Sequence, residues 1–479
     1  MPCSLADVRS AAIDGRAQNA FFKKEQLKKL HETLVENVSQ IQDAISSDTG
    51  HRLSEVKLEY CLALECVAKC FGAIDPKSSL HDEYAVARSE DAPDAREAVG
   101  IIVIEPTTHT FLFSLVSALA PALAAGNCII VEQTMLKTPR VVLDIISRAL
   151  DRDIFHVTSK QLSDAEIDHR HIRVLQSGTS NASLGGQIVS QAESRVVAVI
   201  ERDADLQAAA EAIVRARFSL GGRSPYAPDL VLVNEWVKKK FLTAVTQCAV
   251  RFAPDTTETL SKADQHKHGL ANKVVEERRC RVISSDGSGL IVDVEDRATF
   301  LLQSKVKEAC IAVYGIRSMD DAIDIASSHG RHLALYVFTA MPAAAKYIAQ
   351  FIDTDVAFIN QIPVEILFGP ANPGGKVLLR THAERYDATQ FSLPSPQYAS
   401  HTKDGQMLSS LLSDVSSREL RKLEQKAMAP LPEVKRKNWR TIGFFEQGIL
   451  IGGSLLLTTV ITCTVVLCYY TVKFVRPGH

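Results

Sequence analysis

Apolar residues recur at three- and four-residue steps near the start of the chain. In "EQLKKLHETLVENVSQIQDAI", Leu27, Leu30, Leu34, Val38, Ile41 and Ile45 fall on one face, the spacing of amphipathic helices, and this periodicity runs to about residue 85. Cys66 and Cys70, four apart in "CLALECVAKC", share a helical face and read as core packing. After the polar stretch "SEDAPDAREA" the pattern changes. "VGIIVIEP" is a β-branched run closed by proline, which predicts a buried strand. The long apolar "FLFSLVSALAPALAAGN" then reads as a helix capped at Gly126-Asn127, followed by a strand in "CIIVEQ" and a helix in "TPRVVLDIISRAL". Strands alternating with helices build a parallel sheet covered by helices.

The alternation resumes with strands in "HIRVLQSG" and "VVAVIE" and a helix in "DADLQAAAEAIVRARF" with an acidic first turn. A strand in "YAPDLVLV" leads to the helix "EWVKKKFLTAVTQCAV", whose Lys238, Lys239 and Lys240 form a solvated face. Residues 252–290 are polar and poorly periodic and read as loops with short helices. His266 and His268 in "DQHKHGL" lie two apart and would share a metal only with further converging ligands, so no metal site is expected. The last globular third gives "ACIAVYGI", "SMDDAIDIASS", "LALYVFT", "PAAAKYIAQFI" and "VAFIN" as strand, helix, strand, helix and strand, then the glycine-rich "FGPANPGG". Residues 400–441 predict one or two amphipathic helices and a proline-bounded linker.

Composition narrows the class. A 479-residue chain with 46% hydrophobic and 23% charged residues is globular and multidomain, and a formal net charge of −2 argues against nucleic-acid binding. Ten cysteines without a CxxC pair suit a reduced compartment. Residues 448–472, "GILIGGSLLLTTVITCTVVLCYYTV", carry no charge and are long enough to span a bilayer. The preceding "KRKNWR" is more basic than the segment after the span, which has Lys473 and Arg476. By the positive-inside rule the large N-terminal part faces the cytosol. The expectation is a tail-anchored protein, with the endoplasmic reticulum favoured over the mitochondrial outer membrane because the tail is short and weakly basic.

Five stretches in order carry a resemblance: "ALAPALAAGNCIIVE", "ERDADLQAAAEAIVRARF", "YAPDLVLV", "SMDDAIDIA" with "LALYVF", and "VAFIN". Over roughly residues 5–395 the chain resembles the aldehyde dehydrogenase superfamily, in particular its fatty-aldehyde-type (class 3-like) branch with a C-terminal anchor. The resemblance implies an α/β fold. A Rossmann-like cofactor-binding-type domain (1–217) would be followed by a second, catalytic-type α/β domain (218–395), a helical juxtamembrane segment (396–447) and the transmembrane helix (448–472).

The same resemblance locates the chemistry. The family's nucleophilic cysteine falls at Pro225, which has neither a thiol nor a backbone N–H for an oxyanion hole. Ser224 is the adjacent candidate nucleophile. The family's oxyanion asparagine corresponds to His109 in "TTHTF", and its glutamate base has only Glu193 nearby, in "QAESRVV". The lysine and glutamate that bind the adenosine ribose correspond to Glu132 and Lys305, an exchange of charge, and Gly178 matches the turn that receives the cofactor phosphates. NAD or NADP is therefore the implied cofactor, with altered contacts.

These positions change together while the packing stretches persist. That pattern predicts a membrane-anchored, catalytically degenerate homologue acting as a scaffold or regulator in a lipid or secondary-metabolite pathway, as a homodimer or paired with a competent relative. The alternatives are an NAD(P)-dependent oxidoreductase for long-chain or isoprenoid-like aldehydes using Ser224, His109 and Glu193, and a non-catalytic binder of an apolar ligand.

Overall fold

The computed structural model describes residues 4–88, 90, 92, 94–132, 136–178, 186–251, 273–274, 279–286, 289–328, 330–374, 384–395, 402–413, 418–433 and 443–475. Residues 1–399 form one compact unit and 400–479 a second.

The first unit holds two large sheets. In the five-stranded sheet, Phe155–Thr158, Cys128–Glu132, Ile101–Glu105, His171–Leu175 and Gln187–Val189 lie side by side, all parallel. Its central strand is a run of β-branched residues with Ile101, Ile102, Val103 and Ile104 all buried, as expected where helices cover both faces. The helix Phe111–Ala125 is buried on nearly every face and ends at Gly126 with φ 94°, the left-handed turn that glycine supplies without Cβ strain. Around it pack the helices Ala20–Glu36, Leu53–Ala73 and Lys137–Ala149.

The N-terminal periodicity is split between two helices, Ala20–Glu36 and Val38–Thr49. The chain breaks at Asn37, whose side-chain amide donates to the Thr33 carbonyl at 2.8 Å. An asparagine can satisfy the last carbonyls locally, which ends a helix that the apolar spacing alone would continue. Leu27, Leu30, Leu34, Ile41 and Ile45 are buried nonetheless.

The seven-stranded sheet runs Ala357–Ile359, Ala334–Phe338, Val196–Ile200, Leu230–Asn234, Cys310–Ile316, Gly289–Val294 and Cys280–Asp286. All neighbours are parallel except the last pair. One sequence expectation needs adjusting. Residues 280–290, expected as loop, instead contribute to two antiparallel strands, Cys280–Asp286 and Gly289–Val294. The change from the five-stranded to the seven-stranded sheet comes between Val189 and Val196, since Val196–Ile200 pairs with both Leu230–Asn234 and Ala334–Phe338.

In the second unit, Lys403–Ser413 and Arg418–Ala427 are helical, as is Phe444–Val475. Within the last helix, Glu446–Thr471 is long and apolar enough to cross a membrane. Its 26 residues span about 39 Å at about 1.5 Å each. Hydroxyls of Thr458, Thr459, Thr462, Thr464 and Thr471 donate to carbonyls one turn back, so these polar groups need no water.

Candidate functional site

The strands Val196–Ile200, Leu230–Asn234 and Cys310–Ile316 run parallel, so the segments entering them meet along one edge of the seven-stranded sheet. Those segments carry Glu193 to Arg195, Ser224 to Asp229 and Lys305 to Ala309. The edge therefore gathers most of the residues expected at a reaction centre.

The approach to Ser224 is tightly fixed. After the helix Leu206–Phe218 the chain turns through Leu220, Gly221 and Gly222 at φ 52°, 64° and 72°. A Cβ on Gly222 would sit 2.4 Å from the Ala309 nitrogen, so only glycine fits. Leu220 N–H donates to Glu55 Oε1 at 3.1 Å, tying the turn to the N-terminal helices. A bulky residue held at positive φ is strained and persists only when its surroundings fix it.

Ser224 and Pro225 are both buried. The Ser224 hydroxyl accepts from the Tyr226 N–H at 3.3 Å, within its own turn. Among the described residues no base contacts it. The Pro225 carbonyl accepts from Lys305 Nζ at 2.9 Å, and the same ammonium donates to the Ser194 carbonyl at 2.6 Å and lies 3.5 Å from Asp229. Lys305 thus clamps the segment at the nucleophile position to the segment expected to supply the base. Burial pulls its pKa down, and Asp229 opposes that shift.

Asp229 is fully buried and anchors the edge. It accepts from Val196 N–H at 2.8 Å and Val306 N–H at 3.0 Å, and it faces Arg217 at 3.7 Å. Arg217 also donates to the carbonyls of Cys310 and Val306. Behind the Ser224 turn, Tyr226 OH accepts from Asn372 N–H at 3.1 Å, and its carbonyl accepts from Tyr336 OH at 2.8 Å. The Arg385 guanidinium sits over the Tyr226 ring, 5.0 Å from its centre, and donates to the carbonyls of Ile366, Phe368 and Pro370. These contacts brace the turn that carries Ser224 and Pro225 from behind.

His109 lies just before the helix Phe111–Ala125, whose N-terminus is capped by the buried Glu59 accepting from Leu112 N–H at 2.9 Å. Its Nε2 donates to the Leu367 carbonyl at 2.9 Å. A carbonyl partner fixes the proton on Nε2, which leaves Nδ1 as a bare acceptor without a partner. Burial lowers the His109 pKa to about 4, so near neutral pH the ring has no second N–H for an oxyanion. His51 is likewise lowered to about 4, first by burial and then by the Arg223 charge.

Glu193 is on the surface, paired with Lys307 at 2.6 Å, with both side chains more than 60% exposed. It is not held against Ser224. Glu132 and Lys305 are not joined. Glu132 Oε1 accepts from Leu162 N–H at 3.1 Å and from Arg173 at 3.2 Å, in the five-stranded sheet, whereas Lys305 is held by Asp229 in the other. Gly178 does adopt a left-handed turn, φ 84°, packed against Ser190 and Ala192. Residues 179–185, which follow it, and His266 and His268 lie outside the described residues. Among the described residues no group of three or more metal-type ligands converges.

Residues 10–264, just over half of the chain, match the aldehyde dehydrogenase family. The chain belongs to that family. It is 22% identical over 382 residues to aldehyde dehydrogenase family 3 member B1 of Mus musculus, covering 72% of this chain and 79% of that protein. It is also 22% identical over 415 residues to a putative aldehyde dehydrogenase of Bacillus subtilis, covering 75% and 89%. Among solved structures, the substrate-bound aldehyde dehydrogenase of Staphylococcus aureus superposes with a TM-score of 0.65 at 17% identity, covering 83% of this chain and 93% of that one. An aldehyde dehydrogenase of Pseudomonas aeruginosa gives 0.63 at 19%, covering 83% and 89%. The aldehyde dehydrogenase fold expected from the five stretches is therefore the fold of this family member.

Several residues of the edge went unremarked in the sequence. Asp229 and Arg195 each immediately precede or lead into a fully buried strand, and a charge abutting such a run is the signal that would have found them. Arg217, at the end of an amphipathic helix, and Arg385, in an irregular segment, have no comparable local signature.

Proposed function

We propose that this protein is a membrane-anchored aldehyde dehydrogenase family member that has lost catalysis and serves as a scaffold or regulator, its soluble part facing the cytosol. The observation that carries this is the state of the nucleophile position. Pro225 has no N–H and its carbonyl is clamped by Lys305, while the neighbouring Ser224 hydroxyl is turned back onto Tyr226 N–H. Thiohemiacetal-type chemistry needs an activated nucleophile, an oxyanion donor and a base in reach of one carbonyl carbon. Ser224 lacks a base contact, His109 offers no free N–H, and Glu193 is engaged on the surface. The oxidoreductase alternative draws no support from this arrangement.

The helix Phe444–Val475 supports the anchor, and the basic residues before it support the cytosolic orientation. The persistence of the family's packing stretches supports pairing with a second copy or with a competent relative of the same fold. Two measurements test the proposal. Fractionation is expected to recover the full chain in membranes, from which alkaline extraction does not release it, and release would overturn the anchor. Affinity purification from native membranes is expected to recover a partner of aldehyde dehydrogenase fold; recovery of none would overturn the pairing.

A further inference from the structure

Around Asp229 the sheet edge holds an imbalance of buried charge. Arg217 is fully buried, the Lys305 side chain is 7% exposed, and Arg195 is 7% exposed, so three cations surround a single carboxylate that is itself fully buried. Lys305 and Arg217 spend their hydrogens on backbone carbonyls and Asp229, leaving one nitrogen of Arg217 unpartnered. Arg195 differs from both. Among the described residues its Nε, Nη1 and Nη2 have no hydrogen-bond partner, and Asp229 reaches it only as a more distant charge.

A buried guanidinium with no acceptor is among the costliest groups a fold can hold. The surrounding structure keeps it in place: the Arg195 carbonyl accepts from Leu333 N–H at 2.8 Å, and Val196, next in the chain, is pinned by Asp229. The planar fork of an arginine matches a carboxylate or phosphate, which would supply the missing acceptors and the missing negative charge together. Glu193, two residues before it in the chain, is turned outward to Lys307.

We infer that Arg195 anchors an oxyanion-binding site at this edge of the seven-stranded sheet, taking the carboxylate or phosphate group of a small molecule. This site is independent of aldehyde turnover. It would let a metabolite that carries such a group stabilise the fold and report its level to whatever the protein contacts.

The test is thermal unfolding of the full chain in detergent, titrated separately with sodium acetate and sodium phosphate at an ionic strength held constant with chloride. Wild type is expected to show a saturable rise in midpoint with at least one of the two; at ten times the dissociation constant, mass action multiplies the folded-to-unfolded ratio about elevenfold. Acetate alone would identify a carboxylate site, and phosphate alone a tetrahedral one. Arg195→Met is expected to unfold at no lower a temperature than wild type without added anion, since it removes an unpaired charge, and to lose the saturable rise. Arg195→Lys is expected to keep the rise at weaker affinity. No rise in wild type beyond that given by chloride, or the same rise in Arg195→Met, overturns the inference. Should Arg195→Met not fold, an anion dependence in Arg195→Lys identical to wild type overturns it equally.

Discussion

Replacing Glu59 with glutamine should stabilise this protein at alkaline pH and leave it unchanged in acid. Glu59 is fully buried in the helix Leu53–Ala73, and its Oε1 accepts from the Leu112 N–H at the start of the helix Phe111–Ala125, while Oε2 has no partner among the described residues. Burial raises its pKa from 4.5 to about 7, against the opposing pull of the Leu112 and Phe113 backbone. The unfolded chain releases this proton near 4.5, and the fold retains it to about 7. Below 4.5 both states are protonated. Between the two values the fold holds a proton that the unfolded chain has lost, so stability falls as pH rises, and above 7 the loss is complete. The displacement from 4.5 to about 7 corresponds to about 3 kcal/mol at about 1.4 kcal/mol per tenfold. Glutamine can keep the acceptor to Leu112 and is neutral throughout. Urea unfolding of the full chain in detergent should therefore show Glu59→Gln more stable by up to about 3 kcal/mol near pH 8.5 and nearly equal to wild type near pH 4. His51 and His109 run the other way. Their folded values of about 4 lie below the ordinary 6.5, so they contribute stability that is lost as pH falls through that interval, and Glu59→Gln should leave this acid loss uncompensated. A difference that does not vary with pH, or a variant less stable in alkali, would refute the account of Glu59 as a buried ionising group.

Two further substitutions examine the sheet edge. Gly222→Ala forces a Cβ against Ala309 at a left-handed position and should cost more than about 2 kcal/mol, whereas Gly221→Ala, with a similar φ but nothing within 4 Å, should cost only about 1 kcal/mol; equal effects in chemical unfolding would show that contact with Ala309 is not the constraint. Asp229→Asn removes the carboxylate shared by Arg217 and Lys305 and should cost about 3–5 kcal/mol, read as a lowered denaturant midpoint, and a midpoint unchanged from wild type would contradict the role of Asp229 as the anchor.

The parts legible in the sequence are those written in local periodicity. "VGIIVIEP", "CIIVEQ", "VVAVIE" and "YAPDLVLV" each place a buried strand where one forms, since a short β-branched run has few other stable uses. The strands Cys280–Asp286 and Gly289–Val294 were missed because Arg281, Ser284, Ser285 and Asp286 make the first polar, and the stretch read as loop ends at residue 290, inside the apolar run of the second. The site divides along similar lines. That Pro225 carries neither a thiol nor a backbone N–H was plain from residue type alone. That His109 has its proton committed to Leu367, that Glu193 points to solvent, and that Lys305 holds the Pro225 carbonyl all depend on contacts made across 80 residues of chain or more, which no local pattern encodes. Glu132 and Lys305 were paired by position in the family's order, but the fold sends them to different sheets with partners of their own.

The central claim is that the nucleophile position no longer supports chemistry. The most direct measurement is NADH formation by the full chain in detergent, supplied with NAD and a long-chain aldehyde, with Ser224→Ala assayed beside it. The account predicts that folded wild-type protein gives no NADH beyond a protein-free blank and that Ser224→Ala is indistinguishable from it. Turnover in wild type that disappears in Ser224→Ala would contradict the account and make Ser224 the nucleophile.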